Sequence, residues 1–401
     1  MKWTKKSHEF DETADRLQTA FYRKKKQLYI FGAGLIGERL EWVFKKTGCF
    51  AGYLDNDTEK QKTGVNGERV LSLSQYMESG EDGWLILAAG EKNMPLIERQ
   101  VLEAGLKRES DFYLYQEFME RFFPILAVYE YDRLWIDLVQ ISLTERCSLK
   151  CRKCAHACYA VESTRSDMSL ETVKQSVDCF FKKVDMVGEF VLIGGEPFLY
   201  ADMSAAIAYI GETYRDRIRI FSITTNGTIV PQQEVLDACR KYKVHIRVSD
   251  YSAALGRLEK QYIRLRESLD QNKISYVFGD KERQWFDYGF ERGSRKRQEE
   301  ELIEVLDRCK TPCREIRGNR YYFCVMARSV SENLQLKVGE DEYLDLDQPE
   351  NDDKKTLLEF QMGYSEKGYL AMCDFCSGAE AVKALIPAAE QWEEDTDRRE
   401  Q

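Results

Sequence analysis

Between Trp135 and Asp280 the chain alternates apolar runs with amphipathic segments five times over, and this rhythm constrains the fold more than any other feature. The runs WIDLVQISL, EFVLIGGEP, RIRIFSITTNG, VHIRVSD and ISYVFGD predict strands, and SLETVKQSVDCFFKK, DMSAAIAYIGETYRD, QQEVLDACRKYK and ALGRLEKQYIRLRESL predict the helices between them. Strands joined through helices pair in parallel. Their functional loops then gather at the carboxyl ends of the strands, whether the sheet is open or curled into a barrel.

At roughly 150 residues per domain, a chain of 401 residues has room for two or three. A net charge of -10 argues against nucleic acid or anionic lipid as a partner, because both carry the same sign. No apolar window reaches membrane-span length and no apolar stretch follows the lysines of MKWTKKSHEF, so the expectation is a cytoplasmic protein away from the membrane. In that setting the twelve cysteines should stay reduced, and eight of them are clustered. With His8, His156 and His245 as the three histidines, thiolates have to do any metal ligation.

The first thiol group, Cys147, Cys151 and Cys154, stands in C-x3-C-x2-C spacing just beyond the first strand of the repeat. Three thiolates on a four-iron cubane leave one iron open to a substrate or cofactor. The rival reading is structural zinc with His156 or Cys158 as a fourth ligand.

This loop resembles that of the radical S-adenosylmethionine (radical SAM) enzymes, and further motifs of that family follow in order. Gly194, Gly195, Glu196 and Pro197 after the second strand are similar to its GGEP motif, Thr224 to Gly227 to the polar turn after the third, and Ser249 and Asp250 to the ribose-contacting position after the fourth. The resemblance covers about Trp135 to Asp280. It implies a catalytic [4Fe-4S] cluster on Cys147, Cys151 and Cys154, with S-adenosylmethionine held by Gly194, Gly195, Glu196, Pro197, Thr225, Asn226, Ser249 and Asp250. It also implies reductive cleavage to a 5′-deoxyadenosyl radical that abstracts hydrogen from a substrate carbon, and a reducing partner such as flavodoxin or ferredoxin. Two departures stand out: Lys153 occupies the position before the third cysteine that is usually aromatic, and five strands are visible where the family has six, QWFDYG (Gln284 to Gly289) being the candidate for the sixth.

Beyond the repeat, Cys309, Cys313, Cys324, Cys373 and Cys376 resemble the ligand set of a SPASM/twitch-type auxiliary domain, with NRYYFCVMARSV as a hairpin. Five thiols for four positions imply one auxiliary [4Fe-4S] cluster, with Cys309 and Cys313 as rivals for the first ligand and zinc as the alternative metal. At the amino end, Gly32, Gly34 and Gly37 form G-x-G-x-x-G on a strand-to-helix turn, with Asp55 at the next strand's end. This is the dinucleotide fingerprint, although glycines there also serve helix-strand packing, so a nucleotide is left open. YIFGAGLIGERL and GYLDND resemble Rossmann-like modules of polysaccharide-biosynthesis enzymes and sugar acyltransferases, which hints at a sugar substrate.

The expected architecture is α/β: a leading helix (1–27), a Rossmann-like domain (28–120), a radical SAM partial (β/α) barrel (135–285), an auxiliary-cluster domain (286–385) and a loose polar tail (386–401). ERGSRKRQEEE reads as a solvated helix face, and Trp285, Phe286, Asp287 and Tyr288 as lining for a substrate cavity. The expected function is a radical SAM oxidoreductase acting on a small carbohydrate or nucleotide sugar. A radical SAM peptide maturase, and a non-radical zinc protein with a nucleotide-binding module, are the alternatives.

Overall fold

The computed structural model describes residues 1–165, 167–309, 311, 313–337 and 342–392. Two compact units are present, Ser7–Trp135, and Met1–Lys6 together with Ile136–Gln401.

In the first unit, helix Asp11–Arg23 buries Ala14, Leu17 and Phe21 along one stripe, and Phe21 stacks on Trp84 at 4.9 Å. The leading helix is therefore part of this unit's core. Strands β1 (Leu28–Phe31), β2 (Phe50–Leu54), β3 (Val70–Leu71), β4 (Trp84–Leu87) and β5 (Phe112–Leu114) form a parallel sheet in the order β3-β2-β1-β4-β5. Every residue of β1 and β4 is buried, as expected of central parallel strands covered on both faces.

In the second unit, β6 (Trp135–Thr144), β7 (Met186–Gly194), β8 (Ile218–Thr225), β9 (His245–Val248) and β10 (Tyr276–Phe278) lie side by side, giving a parallel-sheet core of partial-barrel type. One face of this sheet carries Phe190, Phe221 and Ile246, all fully buried. Helix Leu170–Lys183, whose amino end is capped by the Ser169 hydroxyl, brings Phe181 to 5.8 Å from Phe190. Strand alternation sends Glu189, Ser222 and Arg247 to the opposite face. There Ser222 donates to Glu189 at 2.6 Å and Arg247 to the same carboxylate at 2.7 Å.

Four expectations are corrected. QWFDYG does not supply a sixth barrel strand: β11 (Gln284–Phe286) pairs antiparallel with β15 (Leu385–Pro387) in a separate ribbon. The further parallel strand is β12 (Arg314–Arg317), which joins the free edge of β6 through Arg314↔Val139 and Glu315↔Gln140, followed by antiparallel β13 (Arg320–Tyr322) and β14 (Tyr343–Asp345). REIR hides as a strand because its buried charges are paired only in three dimensions, Glu315 with Arg328 and Arg314 with the carbonyls of Thr311, Phe323 and Gln361. Second, NRYYFCVMARSV is half strand and half helix: β13 ends before Cys324, and helix Val325–Asn333 starts directly after it.

Third, the segment before helix Glu299–Asp307 is not a solvated helix face. Arg297 donates to the carbonyls of Cys373 (2.5 Å) and Cys376 (2.9 Å), while Arg295 donates to those of Tyr288 and Gly289. Fourth, the described part of the carboxyl-terminal stretch, up to Trp392, is built into the fold. Ala389 is fully buried and Gln391 bridges antiparallel to Cys151. The rest of the expected tail, 393–401, lies outside the described residues.

Candidate functional site

The loop after β6 carries the three thiols, and its start is pinned by Arg146. That side chain holds Asp167 with two hydrogen bonds, at 2.9 and 2.5 Å, and donates to the Leu199 carbonyl at 3.0 Å. The turn after β7 lies directly on this loop, with Gly195 N–H donating to the Thr144 carbonyl and Glu196 N–H to that of Arg146, both at 2.9 Å. A Cβ on Gly194 would sit 2.1 Å from the Thr144 oxygen, and one on Gly195 2.2 Å from the Arg146 oxygen and 2.9 Å from Cys147 Cβ. Both glycines are required by this close approach.

Glu196 is fully buried. Its carboxylate accepts from Thr225 Oγ1 at 2.8 Å, from Asn226 N–H at 2.9 Å and from Phe198 N–H at 3.1 Å. Burial pushes its pKa up to about 7, with these donors opposing the shift. Asn226 in turn donates to Ser148 Oγ at 3.1 Å and to Cys147 Sγ at 3.5 Å. The second and third expected motifs thus meet on the first cysteine. Ser249 N–H donates to the Thr225 carbonyl at 2.9 Å, and Asp250 is turned onto Ser252 N–H and Oγ.

Cys147, Cys151 and Cys154 share one cluster with Leu149, Tyr251, Leu255, Trp285 and Ala389. Burial pushes the Cys147 thiol up to about 11 and that of Cys151 to about 12. Cys154 is shifted down by its hydrogen bond with Cys158, against the effect of burial. Protonated, buried thiols of this kind become ligands when a metal displaces their protons. Among the described residues, no three Cys, His, Asp or Glu side chains converge at metal-ligand spacing. The three thiols lie in one cluster beside the Asn226 and Gln391 side-chain donors, a donor set whose chemistry fits a thiolate-ligated metal group.

Residues 141–250 match the Radical SAM superfamily. The match is to a radical SAM domain. The matched segment runs from β6 through the turn after β9 and so contains all the elements just described. A stretch of 95 residues is 30% identical to GTP 3′,8-cyclase of Stenotrophomonas maltophilia (strain R551-3). That stretch is 24% of this chain and 28% of that protein, so the likeness spans about a quarter of the curated relative. Similar solved structures include BtrN in complex with AdoMet and 2-DOIA (13% identity, 64% of this chain and 97% of that one, TM-score 0.39). Another is SuiB of Streptococcus suis (18% identity, 54% and 47%, TM-score 0.31). A third is anSMEcpe with bound AdoMet (18% identity, 35% and 43%, TM-score 0.29). The matched superfamily implies a [4Fe-4S] cluster and S-adenosylmethionine.

Two residues around the cysteine loop, Tyr262 and Glu291, escaped the sequence reading. Tyr262 donates to the carbonyls of Asn226 (3.1 Å) and Ser249 (3.2 Å) and accepts from Tyr251 N–H (3.1 Å), tying two of the expected turns together. Its ring also closes over Gly227, where an added Cβ would meet it at 2.8 Å. Asp287 and Glu291 pair with Lys153, the residue at the unusual position before the third cysteine. Asp287 was expected as cavity lining and is found paired with Lys153, while Tyr262 lay in an ordinary helical pattern. Trp285 meets Tyr251 edge-on at 5.6 Å beside the cysteine loop.

The remaining expected sites lie elsewhere. Cys324, Cys373 and Cys376 are buried, and the Cys324 thiol is pushed well up by burial and by Cys309, Cys376 and Cys373 nearby. Cys313 lies with Cys309 and Cys324 near Arg314 and Tyr288. In the Ser7–Trp135 unit, Gly32 and Gly37 are demanded by packing: a Cβ would stand 2.3 Å from the Ala88 oxygen or 2.1 Å from that of Gly32. Gly34 would meet nothing within 4 Å. The Asp55 carboxylate is engaged by Ala33 N–H (2.8 Å), Asp57 N–H (2.9 Å) and Lys60 Nζ (3.1 Å). No helix among the described residues is long and apolar enough to cross a membrane.

Proposed function

We propose that this chain is a radical SAM oxidoreductase that takes hydrogen from a carbon of a carbohydrate or nucleotide sugar. Cys147, Cys151 and Cys154 would hold the catalytic cluster. The Gly194–Pro197 turn, Thr225, Asn226, Ser249 and Asp250 would hold S-adenosylmethionine. Together these two groups supply a one-electron reductive cleavage that yields a 5′-deoxyadenosyl radical. The residues of the chain contribute position: Glu196 locks the second turn to the third, Asn226 braces Cys147, and Tyr262 fixes the fourth turn against the third.

Cys309, Cys324, Cys373 and Cys376 would hold an auxiliary [4Fe-4S] cluster, an electron acceptor for an oxidation, with Arg297 clamping the loop between the last two. Cys313 stays the rival of Cys309 for the first position, since both lie with Cys324 around Tyr288 and Arg314. The hydroxyl-rich substrate class is supported by the polar sheet face of Glu189, Ser222 and Arg247, and by the resemblance of the amino-terminal module to sugar-handling proteins. The observation that supports the whole reading most is the hydrogen-bonded chain from Thr225 to Glu196, from Glu196 to Asn226, and from Asn226 to Cys147.

The test is anaerobic reconstitution with iron and sulfide, then S-adenosylmethionine and dithionite, with 5′-deoxyadenosine as readout. Wild-type protein should form it and Cys151→Ala should not; equal yields from both would refute the cluster assignment. Transfer of deuterium from a ring-labelled sugar into 5′-deoxyadenosine supports the substrate class, whereas transfer only from peptides favours a maturase. One or two zincs and no iron would leave the non-radical reading.

A further inference from the structure

The segment Ala389–Trp392 is separated from the cysteine loop by some 240 positions, as in Gln391 to Cys151, yet it lies along that loop as a strap. Arg152 N–H donates to the Glu390 carbonyl and Trp392 N–H to that of Lys150, both at 2.8 Å, a short antiparallel ladder around Cys151. Ala389 turns the chain into this position with φ +56° and is fully buried. Trp392 closes the far end, 5.7 Å from the Tyr159 ring and 5.0 Å from the Arg152 guanidinium.

Within the strap, the side-chain amide of Gln391 has one possible orientation. Lys150 N–H, a donor, lies 2.8 Å from Oε1 and so fixes the oxygen. Nε2 must then point the other way, where it donates to the Ala389 carbonyl at 2.7 Å and to Cys151 Sγ at 3.1 Å. An amide nitrogen carries two hydrogens, so both bonds form together.

We infer that Gln391 is a positioning residue for Cys151 that also sets the reduction potential of the cluster bound there. This rests on the reading that Cys147, Cys151 and Cys154 hold that cluster. An N–H···S bond stabilises the more electron-rich, reduced state, so hydrogen bonds to ligand sulfurs are one of the levers on cluster potential. The carboxyl-terminal strap thereby makes the cluster easier to reduce than the loop would on its own.

The experiment is a redox titration of the reconstituted full chain, following the electron paramagnetic resonance signal that S-adenosylmethionine perturbs and that therefore belongs to the open-iron cluster. Gln391→Met keeps the side chain's length and removes the donor. It should load iron as the wild type does and titrate at a more negative midpoint. Wild-type protein labelled with nitrogen-15 in the glutamine side-chain amide should show a hyperfine coupling to the reduced cluster, which Gln391→Met loses. An unshifted midpoint in an iron-replete variant overturns the inference, as does absence of the coupling in the labelled wild type. Should Gln391→Met fail to load iron, the wild-type coupling decides alone. A wild-type protein that forms no iron–sulfur chromophore refutes the underlying reading instead, so the two failures are distinguishable.

Discussion

Replacing Arg328 by Met should be among the most damaging single changes in the Ile136–Gln401 unit. The guanidinium is fully buried between two buried carboxylates, donating twice to Glu315 at 2.8 Å and once to Glu145, which stands two residues before Cys147. Methionine fills much of the volume but leaves Glu315 with no partner cation and Glu145 with Asn333 at 3.0 Å and the half-exposed Arg317 at 3.6 Å. Removing one member of a buried ion pair costs about 3–5 kcal/mol, because the remaining charge stays desolvated. That is roughly two to three and a half orders of magnitude in the folding equilibrium. The loss should depend on pH with a definite sign. In the wild type, the Arg328 charge and the Asn333 hydrogen bond hold the Glu145 pKa down against burial, so the stabilisation is present above the unfolded carboxylate pKa and is lost as pH falls. In the variant the Glu145 carboxylate loses the charge that holds it down and moves up, so the deficit should be largest near pH 8 and shrink towards pH 5. Urea denaturation of metal-free protein, followed by tryptophan fluorescence at several pH values, measures this. A deficit below about 1 kcal/mol at pH 7.5, or one that does not change with pH, would refute the argument that the pair is desolvated.

Glu196, its carboxyl pushed up to about 7 by burial, should make the metal-free protein lose stability as pH rises from the unfolded carboxylate value to about 7, by about 3 kcal/mol in all, and Glu196→Gln should flatten that slope in the same denaturation assay. Reconstituted wild type should carry about eight irons per chain if two cubanes assemble, and Arg297→Ala, by freeing the Cys373–Cys376 loop, should reduce this towards half as measured by iron analysis. Gly37→Ala should destabilise the Ser7–Trp135 unit severely because its Cβ would collide with the Gly32 carbonyl, whereas Gly34→Ala should leave thermal unfolding nearly unchanged.

The parts of the site legible in the sequence are those whose function depends on spacing along the chain. Cys147, Cys151 and Cys154 lie in one loop, Gly194 to Pro197 in one turn, and Thr225 and Asn226 in another, so strand periodicity alone brings each to the same edge of the sheet. The segments that were misread depend on partners distant in sequence. The strand REIR carries no local apolar pattern, because Arg328 and the carbonyls that satisfy its charges lie elsewhere in the chain. The run around Arg295 and Arg297 looked solvent-facing because the loop it holds is almost eighty positions away.

What the sequence determined by itself was the βα rhythm and the placing of thiols and glycines at strand ends, both consequences of local propensity and residue inventory. What only the tertiary structure decided was which strand extends the parallel sheet beyond β6, that the carboxyl-terminal stretch covers the cysteine loop, and that Glu196 joins two turns. The physical reason is that a buried charge or an unpaired amide is costly until its partner arrives. Those partners, from Arg328 to Gln391, are supplied by segments that no local pattern connects to the site.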